Sequence, residues 1–180
     1  MKVFLFAALI CCTALQTFAQ ENTLIWNEAQ PLQWFDFSGL ANNNSPYAAE
    51  SFAEIKYTYI FKSPTDFYFE VFANFNRSTS WSKKEYQTQA LLKHEQLHFD
   101  IAALYSKKLK EAFQGYYYSN DYSYEIQMIF NQKKIEYHLM QKQYDEETNH
   151  SLNKEKQDDW EKFISEQLRV SSSTLNYAKK

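Results

Sequence analysis

The apolar pattern of this chain changes its period once, and that change constrains the class of fold. In the segments AEIKYTYIF (residues 53–61) and FYFEVFANF (residues 67–75), apolar and polar residues alternate, as in half-buried strands. From Leu91 onward, apolar residues recur at every third or fourth position, as in amphipathic helices. The break SPTD between the alternating segments predicts a turn that joins them into an antiparallel pair. We therefore expect an α+β protein in which the strands precede the helices.

Three helices are expected after the strands. The stretch SKKE at residues 82–85 fits a capping box, so the first helix should begin at Lys83. Gly115 stands where the C-terminal cap of that helix would lie, after about eight turns. A break near residues 147–151 should separate the second helix from the third. Residues 170–180 show no periodicity and are expected to form a frayed C-terminal tail.

The first 19 residues have the pattern of a secretory signal peptide. A lysine precedes an apolar run over residues 3–15, and the small-x-small sequence TFA precedes an expected cleavage point before Gln20. Both cysteines, Cys11 and Cys12, lie in this segment, so the mature chain would have no disulfide and no cysteine-ligated metal site. Lipidation of Cys11 is the alternative, although Ile10 precedes it where a small residue is expected. We expect export to the periplasm or the extracellular space.

Composition favours a globular protein and excludes two classes of partner. A chain of 180 residues with 44% hydrophobic content can bury a substantial core, and we expect one domain over residues 20–169. The net charge is -3 and no Lys/Arg cluster is present, which argues against nucleic-acid binding. After the signal peptide no apolar run is long enough for stable membrane insertion. The sequence predicts no particular oligomeric state.

The first expected helix carries the string LLKHEQLHFD, in which His94, Glu95 and His98 stand in the order H-E-x-x-H. Residues four apart on a helix differ by about 40° in direction and about 6 Å in rise, so both imidazoles can reach one metal ion. Glu95 would lie beside them, close enough to act as a general base on a water without being a ligand. Asp100 should point to the opposite face and make a salt bridge or a buried hydrogen bond.

A catalytic zinc ion usually has three protein ligands, so a third must come from another segment. We expect His150, because it lies at the predicted break between helices, where a side chain can approach from a neighbouring element. Asp145 and Glu146 are the alternatives, since a carboxylate can also complete such a site. Tyr144 could donate a hydrogen bond to a developing oxyanion, although a tyrosine on an apolar stripe is more often part of the core.

Three segments together resemble a known family. They are HEQLHFDIA at residues 94–102, YDEETNHSLNKEKQDDW at residues 144–160 and LQWFDFSG at residues 32–39. The family consists of secreted bacterial proteins that are catalogued as a domain of unknown function and described as predicted zinc-dependent proteases. The resemblance covers roughly residues 24–168. In that family a glycine often follows the downstream histidine, where this chain has Ser151.

The resemblance implies a zincin-like α+β fold. A small antiparallel-containing sheet would pack on the HExxH active-site helix, with further C-terminal helices beyond it. It also implies a Zn²⁺ cofactor and a location in the bacterial envelope or outside the cell.

Two functions from different classes are consistent with these features. The first is a secreted or periplasmic zinc-dependent metallopeptidase that hydrolyses peptide bonds with a zinc-activated water and Glu95 as general base. Its substrate peptide could add as a strand to an exposed sheet edge, formed by FYFEVFANF or its partner strand. The alternative is a non-catalytic zinc-binding or protein-interaction module of the cell envelope. An α+β domain without metal is a third possibility.

Overall fold

The computed structural model describes residues 22–177, and for residues 171–177 it describes the helical backbone alone. In this part of the chain, five strands precede three long helices. The strands are β1 (Thr23–Ile25), β2 (Ala49–Glu50), β3 (Ala53–Ser63), β4 (Asp66–Asn76) and β5 (Trp81–Ser82), and the helices are α1 (Gln89–Gln114), α2 (Tyr122–Thr148) and α3 (Lys154–Tyr177). The predicted α+β class, with strands before helices, is therefore confirmed.

Some expectations concern the ends of the chain. The predicted signal peptide lies outside the described residues. Residues 170–177 of the predicted tail continue α3 as helical backbone, and residues 178–180 lie outside the described part. Within residues 22–177, none of the helices is long and apolar enough to cross a membrane.

The two alternating segments form the antiparallel pair that the sequence predicts. The β3–β4 ladder runs from Ala53 opposite Phe75 to Ser63 opposite Asp66, with a register shift after Phe61. β1 pairs with the other edge of β4, which makes β4 the middle strand in the order β1-β4-β3. One face of this sheet is buried, as the alternation predicts, and its most buried residues are Ile55, Phe69, Ala73 and Phe75. A second, two-stranded sheet of β2 and β5 was not predicted, because each strand has only two residues.

Helix α1 is the centre of the structure. Its face toward the sheet packs aromatic rings against β4, with centroids 4.3 Å apart for Phe113 and Phe69 and 5.5 Å apart for Phe99 and Phe75. Other residues of α1 are also fully buried, namely Ile101, Ala102, Leu104 and Leu109. Each large apolar side chain buried in this way contributes about 1.5–3 kcal/mol relative to its exposed state. The helix that carries the HExxH string is therefore held between the sheet and the other two helices.

Helix α1 begins at Gln89, so the predicted start at Lys83 is wrong. Thr88 is the N-cap, and its side-chain oxygen accepts a hydrogen bond from Leu91 N at 3.1 Å. Ser82 is instead part of β5, and Lys83 N donates to Ala48 O at 2.8 Å, which holds this backbone extended. A single 3₁₀ turn follows before the helix. The end of α1 is as predicted, since Gly115 is its C-cap, with a right-handed backbone at φ -88°.

Asp100 accepts hydrogen bonds on the face of α1 opposite the HExxH histidines, as predicted. Trp26 Nε1 and Gln96 Nε2 both donate to Asp100 Oδ1, each at 2.7 Å. Gln96 Oε1 in turn accepts from Leu32 N at 2.7 Å. Burial raises the pKa of the Asp100 carboxyl, and the two hydrogen bonds lower it in part. These contacts attach the segment after β1 to α1.

Gly39 packs closely against the turn that leads into β5. Its N–H donates to Ser80 O at 2.8 Å. A Cβ at this position would lie 2.7 Å from Ser80 O and 2.9 Å from Ser78 O, both backbone atoms. Ser80 Oγ accepts from Phe52 N at 2.8 Å, so the same turn also fixes the chain between β2 and β3. The position of β2 thus depends on a contact that only glycine permits.

We expect Gly39→Ala to lower the free energy of unfolding by about 1–3 kcal/mol, because the added methyl group must displace the backbone. Gly115→Ala is the matched control. A Cβ there would lie 3.3 Å from Glu111 O on a right-handed backbone, so its effect should stay within about 1 kcal/mol. Urea denaturation followed by circular dichroism measures both. Equal losses in the two variants would contradict the role of the Gly39 contact.

Candidate metal centre

Two imidazoles and one carboxylate converge between α1 and α2. His94 and His98 lie on successive turns of α1, with their Nε2 atoms 3.3 Å apart. Asp145, on α2, places Oδ1 3.2 Å from His94 Nε2 and 3.0 Å from His98 Nε2. Among the described residues, these three form a group whose ligand atoms all lie within 4.8 Å of one another.

The spacing of these three atoms fits a tetrahedral cation site. For zinc–ligand bonds of about 2.0–2.1 Å at tetrahedral angles, the ligand atoms should be about 3.3–3.4 Å apart. The three observed separations, 3.3, 3.2 and 3.0 Å, are close to that value. Two imidazoles and one carboxylate also suit several other divalent ions. The group could therefore hold zinc or a similar ion with three protein ligands.

Two glutamines orient the imidazoles. Gln157 Oε1 lies 3.2 Å from His94 Nδ1, and Gln141 Oε1 lies 2.5 Å from His98 Nδ1. The amide nitrogens donate elsewhere, from Gln157 to Glu161 Oε1 at 3.2 Å and from Gln141 to His98 O at 2.9 Å. Because an amide oxygen only accepts, each Nδ1 carries the hydrogen, and in the neutral ring Nε2 keeps its lone pair for a cation.

The electrostatics of the group also favour a cation. Burial would lower the pKa of His98, but the hydrogen bond with Asp145 and the charges of Glu95 and Asp145 raise it above its ordinary value. Burial would raise the pKa of Asp145, but the hydrogen bonds that His94 and His98 donate when Nε2 also carries a proton hold it well below its ordinary value. Asp145 is therefore ionised at neutral pH. A metal ion at this position would compete with the proton of His98.

Glu95 lies in the adjoining cleft with one carboxylate oxygen unpartnered. Its side chain is buried, and Oε2 has no hydrogen-bond partner among the residues that the structure describes. Buried carboxylate oxygens are normally hydrogen-bonded, because leaving one without a partner is costly. Glu95 also lines the cleft beside His94 and His98. Glu95 Oε2 is thus a buried acceptor that no described residue satisfies, on a residue that lines the cleft.

Tyr144 lies beneath both histidines. Its ring stacks on His94 with centroids 4.7 Å apart and meets His98 edge-on at 4.9 Å. The hydroxyl lies 2.8 Å from Gln157 Oε1 and 3.2 Å from His94 O. Burial raises the pKa of Tyr144, so the phenol stays protonated. The hydroxyl is directed to these acceptors rather than to the cleft where an oxyanion would form.

The other predicted ligands lie outside the group of three. His150 places Nδ1 3.5 Å from Asp145 Oδ1, and its ring packs against Tyr47 with centroids 4.6 Å apart. Glu146 is exposed and pairs with Lys142 at 3.6 Å. Of the expected third ligand and its alternatives, the structure thus joins Asp145 to the two histidines and leaves His150 beside them.

An unusual turn follows α2 and positions His150. Asn149, His150 and Ser151 have φ values of 47°, 51° and 75°, in the left-handed region. His150 N donates to Asp145 O at 3.0 Å, which ties the turn to the candidate ligand. The φ of Ser151 is one that glycine adopts without strain. This explains physically why a glycine would suit the position at which the resembling family often has one.

A cleft of about 850 Å³ runs from the candidate metal site along β2. Lys83 N donates to Ala48 O at 2.8 Å, so Ala48 and Glu50 direct their backbone groups toward β5. Because backbone groups alternate in direction along a strand, the N–H and C=O groups of Ala49 and Ser51 point away from β5. Both residues line the cleft on that side. Within residues 22–177, these backbone groups have no hydrogen-bond partner. The open sheet edge at the cleft therefore belongs to β2, a strand that the sequence did not reveal.

Sequence reasoning missed the two glutamines. Gln141 precedes Asp145 by four residues, so helix periodicity alone would have placed both side chains on one face of α2. Gln157 comes from α3 and is separated from His94 by 63 residues, so no local pattern connects them.

We expect Asp145→Ala to lower zinc affinity by more than about 100-fold, beyond the 10–100-fold typical of residues that only orient a ligand. His150→Ala should change the affinity by less than about tenfold, and Glu146→Ala, which removes the neighbouring exposed carboxylate, should not change it. Competition with a chromophoric chelator measures all three. An equal loss in the His150 and Asp145 variants would show that His150 is also a ligand.

Ser151→Gly should raise the free energy of unfolding by about 0.5–1 kcal/mol. The left-handed backbone costs a residue with a side chain about 1–2 kcal/mol, part of which is offset by the greater freedom of glycine in the unfolded chain. The control is Ser165→Gly in α3, which should instead destabilise the protein by about 0.5–1 kcal/mol. Denaturation curves that shift in the same direction for both variants would contradict the assignment of strain to Ser151.

Part of the chain matches the model of a known protein family. Residues 73–151 match the model of a family described as "Bacterial protein of unknown function (DUF922)". No curated protein and no solved structure matches the chain significantly. The matched segment contains His94, Glu95, His98 and Asp145, and it ends at Ser151. Over this segment the chain is similar to a bacterial protein family whose function is unknown.

Proposed function

We propose that the chain is a zinc-dependent metallopeptidase with a zincin-like arrangement. The observation that carries the proposal is the convergence of His94 Nε2, His98 Nε2 and Asp145 Oδ1 in a cleft that Glu95 also lines, with Glu95 Oε2 lacking a hydrogen-bond partner among the described residues. Metal ligands with a neighbouring free carboxylate are what metal-assisted hydrolysis requires. The signal-peptide pattern of the sequence supports action in the periplasm or outside the cell.

The residues around the site hold its ligands in one geometry. Zinc, when bound, would polarise a substrate carbonyl and lower the pKa of a water molecule. Gln157 and Gln141 fix the tautomers of the two histidines, and Tyr144 supports both rings from below. Partners of this kind are typically worth 10–100-fold in metal affinity or activity.

Glu95 would act as the general base. Its carboxylate accepts a proton from the attacking water while the water oxygen forms a bond to the carbonyl carbon. When the C–N bond breaks, Glu95 returns that proton to the leaving amine, so that one water is consumed and two peptide fragments form. The free Oε2 and the position of Glu95 in the cleft support this role.

The shape of the cleft supports an extended polypeptide as substrate. The backbone groups of Ala49 and Ser51 offer two N–H donors and two C=O acceptors in strand spacing, so a peptide can add to β2 as a further strand. Tyr47, Phe52 and Tyr86 line the same cleft and give its walls apolar surface for side chains of the peptide. A backbone edge of this kind recognises the main chain of the substrate.

Glu95→Gln should retain one bound zinc and lose peptidase activity by about 10²–10⁴-fold, because the amide cannot accept the proton. The matched control is Glu85→Gln, a change of the same type at another residue that lines the cleft, and it should keep most of the activity. Metal content is measured by mass spectrometry of the purified protein, and cleavage is measured on a peptide library with and without a chelator.

The outcomes separate the two functions expected from the sequence. Full activity in Glu95→Gln would contradict the catalytic assignment. A zinc-loaded protein that cleaves no peptide would favour the non-catalytic binding module. Purified protein that holds no metal would contradict both.

A further inference from the structure

Helix α2 has a second apolar face, which points away from the core. Four large residues on this outward stripe are 54–67% exposed, namely Tyr124, Met128, Ile135 and Leu139. At about 100° per residue they fall within an arc of about 60°. The opposite side of α2 is buried through Ile126, Tyr137 and Tyr144. A helix that is apolar on both sides normally has a partner on each.

The outward stripe is symmetric along the helix. Tyr124 and Leu139 are equally distant from the midpoint between residues 131 and 132, and so are Met128 and Ile135. If two copies of α2 pack antiparallel about a twofold axis at that midpoint, Tyr124 meets Leu139 of the other copy and Met128 meets Ile135. An isologous interface requires this self-complementary spacing.

The charges at the two ends of the stripe follow the same symmetry. Asp121 and Lys142 are also equally distant from the midpoint and carry opposite charges. In the antiparallel pair each Asp121 would face Lys142 of the other copy. Lys142 is well exposed, and its contact with Glu146, at 3.6 Å, is a surface pair of little energetic weight. We propose that the outward stripe is a dimerisation surface and that its partner is a second copy of this chain.

The size of the surface sets the expected strength of the dimer. From Tyr124 to Leu139 the stripe is about 22 Å long. A pair of helices in contact over this length buries on the order of 1,000 Å², which is at the low end for specific interfaces. The dimer should therefore dissociate on dilution. Asp145 lies about a quarter-turn around α2 from the stripe, so the partner helix lies beside the metal centre rather than over it.

Sedimentation equilibrium of the chain without residues 1–19, from about 1 to about 200 μM, should show a monomer–dimer equilibrium. Ile135→Glu should raise the dimer dissociation constant at least about tenfold, because it introduces two unpaired charges into the interface. Ile60→Glu is the matched control. Ile60 is 61% exposed on β3, against 57% for Ile135, and its replacement should leave the equilibrium unchanged.

Charge exchange and cross-linking test the proposed orientation. Lys142→Asp should weaken the dimer, because residues 121 and 142 of the two copies then carry like charges. Adding Asp121→Lys should restore the dimer, because the two residues of each contact again carry opposite charges. Without residues 1–19 the chain has no cysteine, so Asn131→Cys should form a covalent dimer on oxidation, whereas Lys62→Cys, at the exposed end of β3, should not.

Three results would overturn the proposal. The first is a monomer at every concentration. The second is a dimer that neither Ile135→Glu nor Lys142→Asp weakens. The third is a monomer that binds phosphatidylcholine–phosphatidylglycerol vesicles and loses this binding in Ile135→Glu, which would make the stripe a membrane-contacting surface. None of these measurements depends on metal binding or peptidase activity, so dimerisation and the proposed enzyme function can fail separately.

Discussion

The contact of the Asp145 carboxylate with the imidazoles of His94 and His98 is the interaction on which the rest of the site depends. It brings together polar groups from two helices at a site where the side chains are only 3–30% exposed, and removing a charge from water there is costly. The cost is offset because the three groups compensate one another and because the remaining ring nitrogens bond to Gln157 and Gln141. A buried polar network of this kind stabilises the structure only when its members are satisfied. Beside this network, Glu95 Oε2 is a buried acceptor without a hydrogen-bond partner among the residues that the structure describes.

The part of this site that follows from the sequence is the part within one helix. The period of α1 places His94, Glu95 and His98 correctly because their relative positions depend only on helix geometry. Neither the third member nor the orienting residues could be fixed in this way. They come from α2 and α3, and their approach depends on how the helices pack. Asp145 and His150 are only five residues apart, and the choice between them depends on α2 continuing through Thr148.

For the fold, too, the sequence predicts what depends on local pattern and not what depends on packing. Long segments with a clear period, such as β3 and β4, were predicted correctly because many residues contribute to the pattern. β2 and β5 have two residues each and show no period, yet β2 provides the open edge of the cleft. The capping-box pattern at residues 82–85 failed for a related reason. A ladder hydrogen bond from Lys83 to Ala48 outweighed the local helix signal, as tertiary contacts often do.

The register of α2 against α1 finally decides which side chain reaches the histidines. A shift of α2 by one residue rotates it by about 100°, which would replace Asp145 at the site by Tyr144 or Glu146. Three hydrogen bonds oppose such a shift. Tyr137 OH donates to Ala53 O at 2.7 Å, Gln141 Nε2 donates to His98 O at 2.9 Å, and Tyr144 OH lies 2.8 Å from Gln157 Oε1. These bonds connect α2 to the sheet, to α1 and to α3. Because the sheet, α1 and α3 each bond to α2, a shift of α2 along its axis would break contacts with all three. The position of Asp145 at the histidines therefore depends on the packing of α2 against all of these elements.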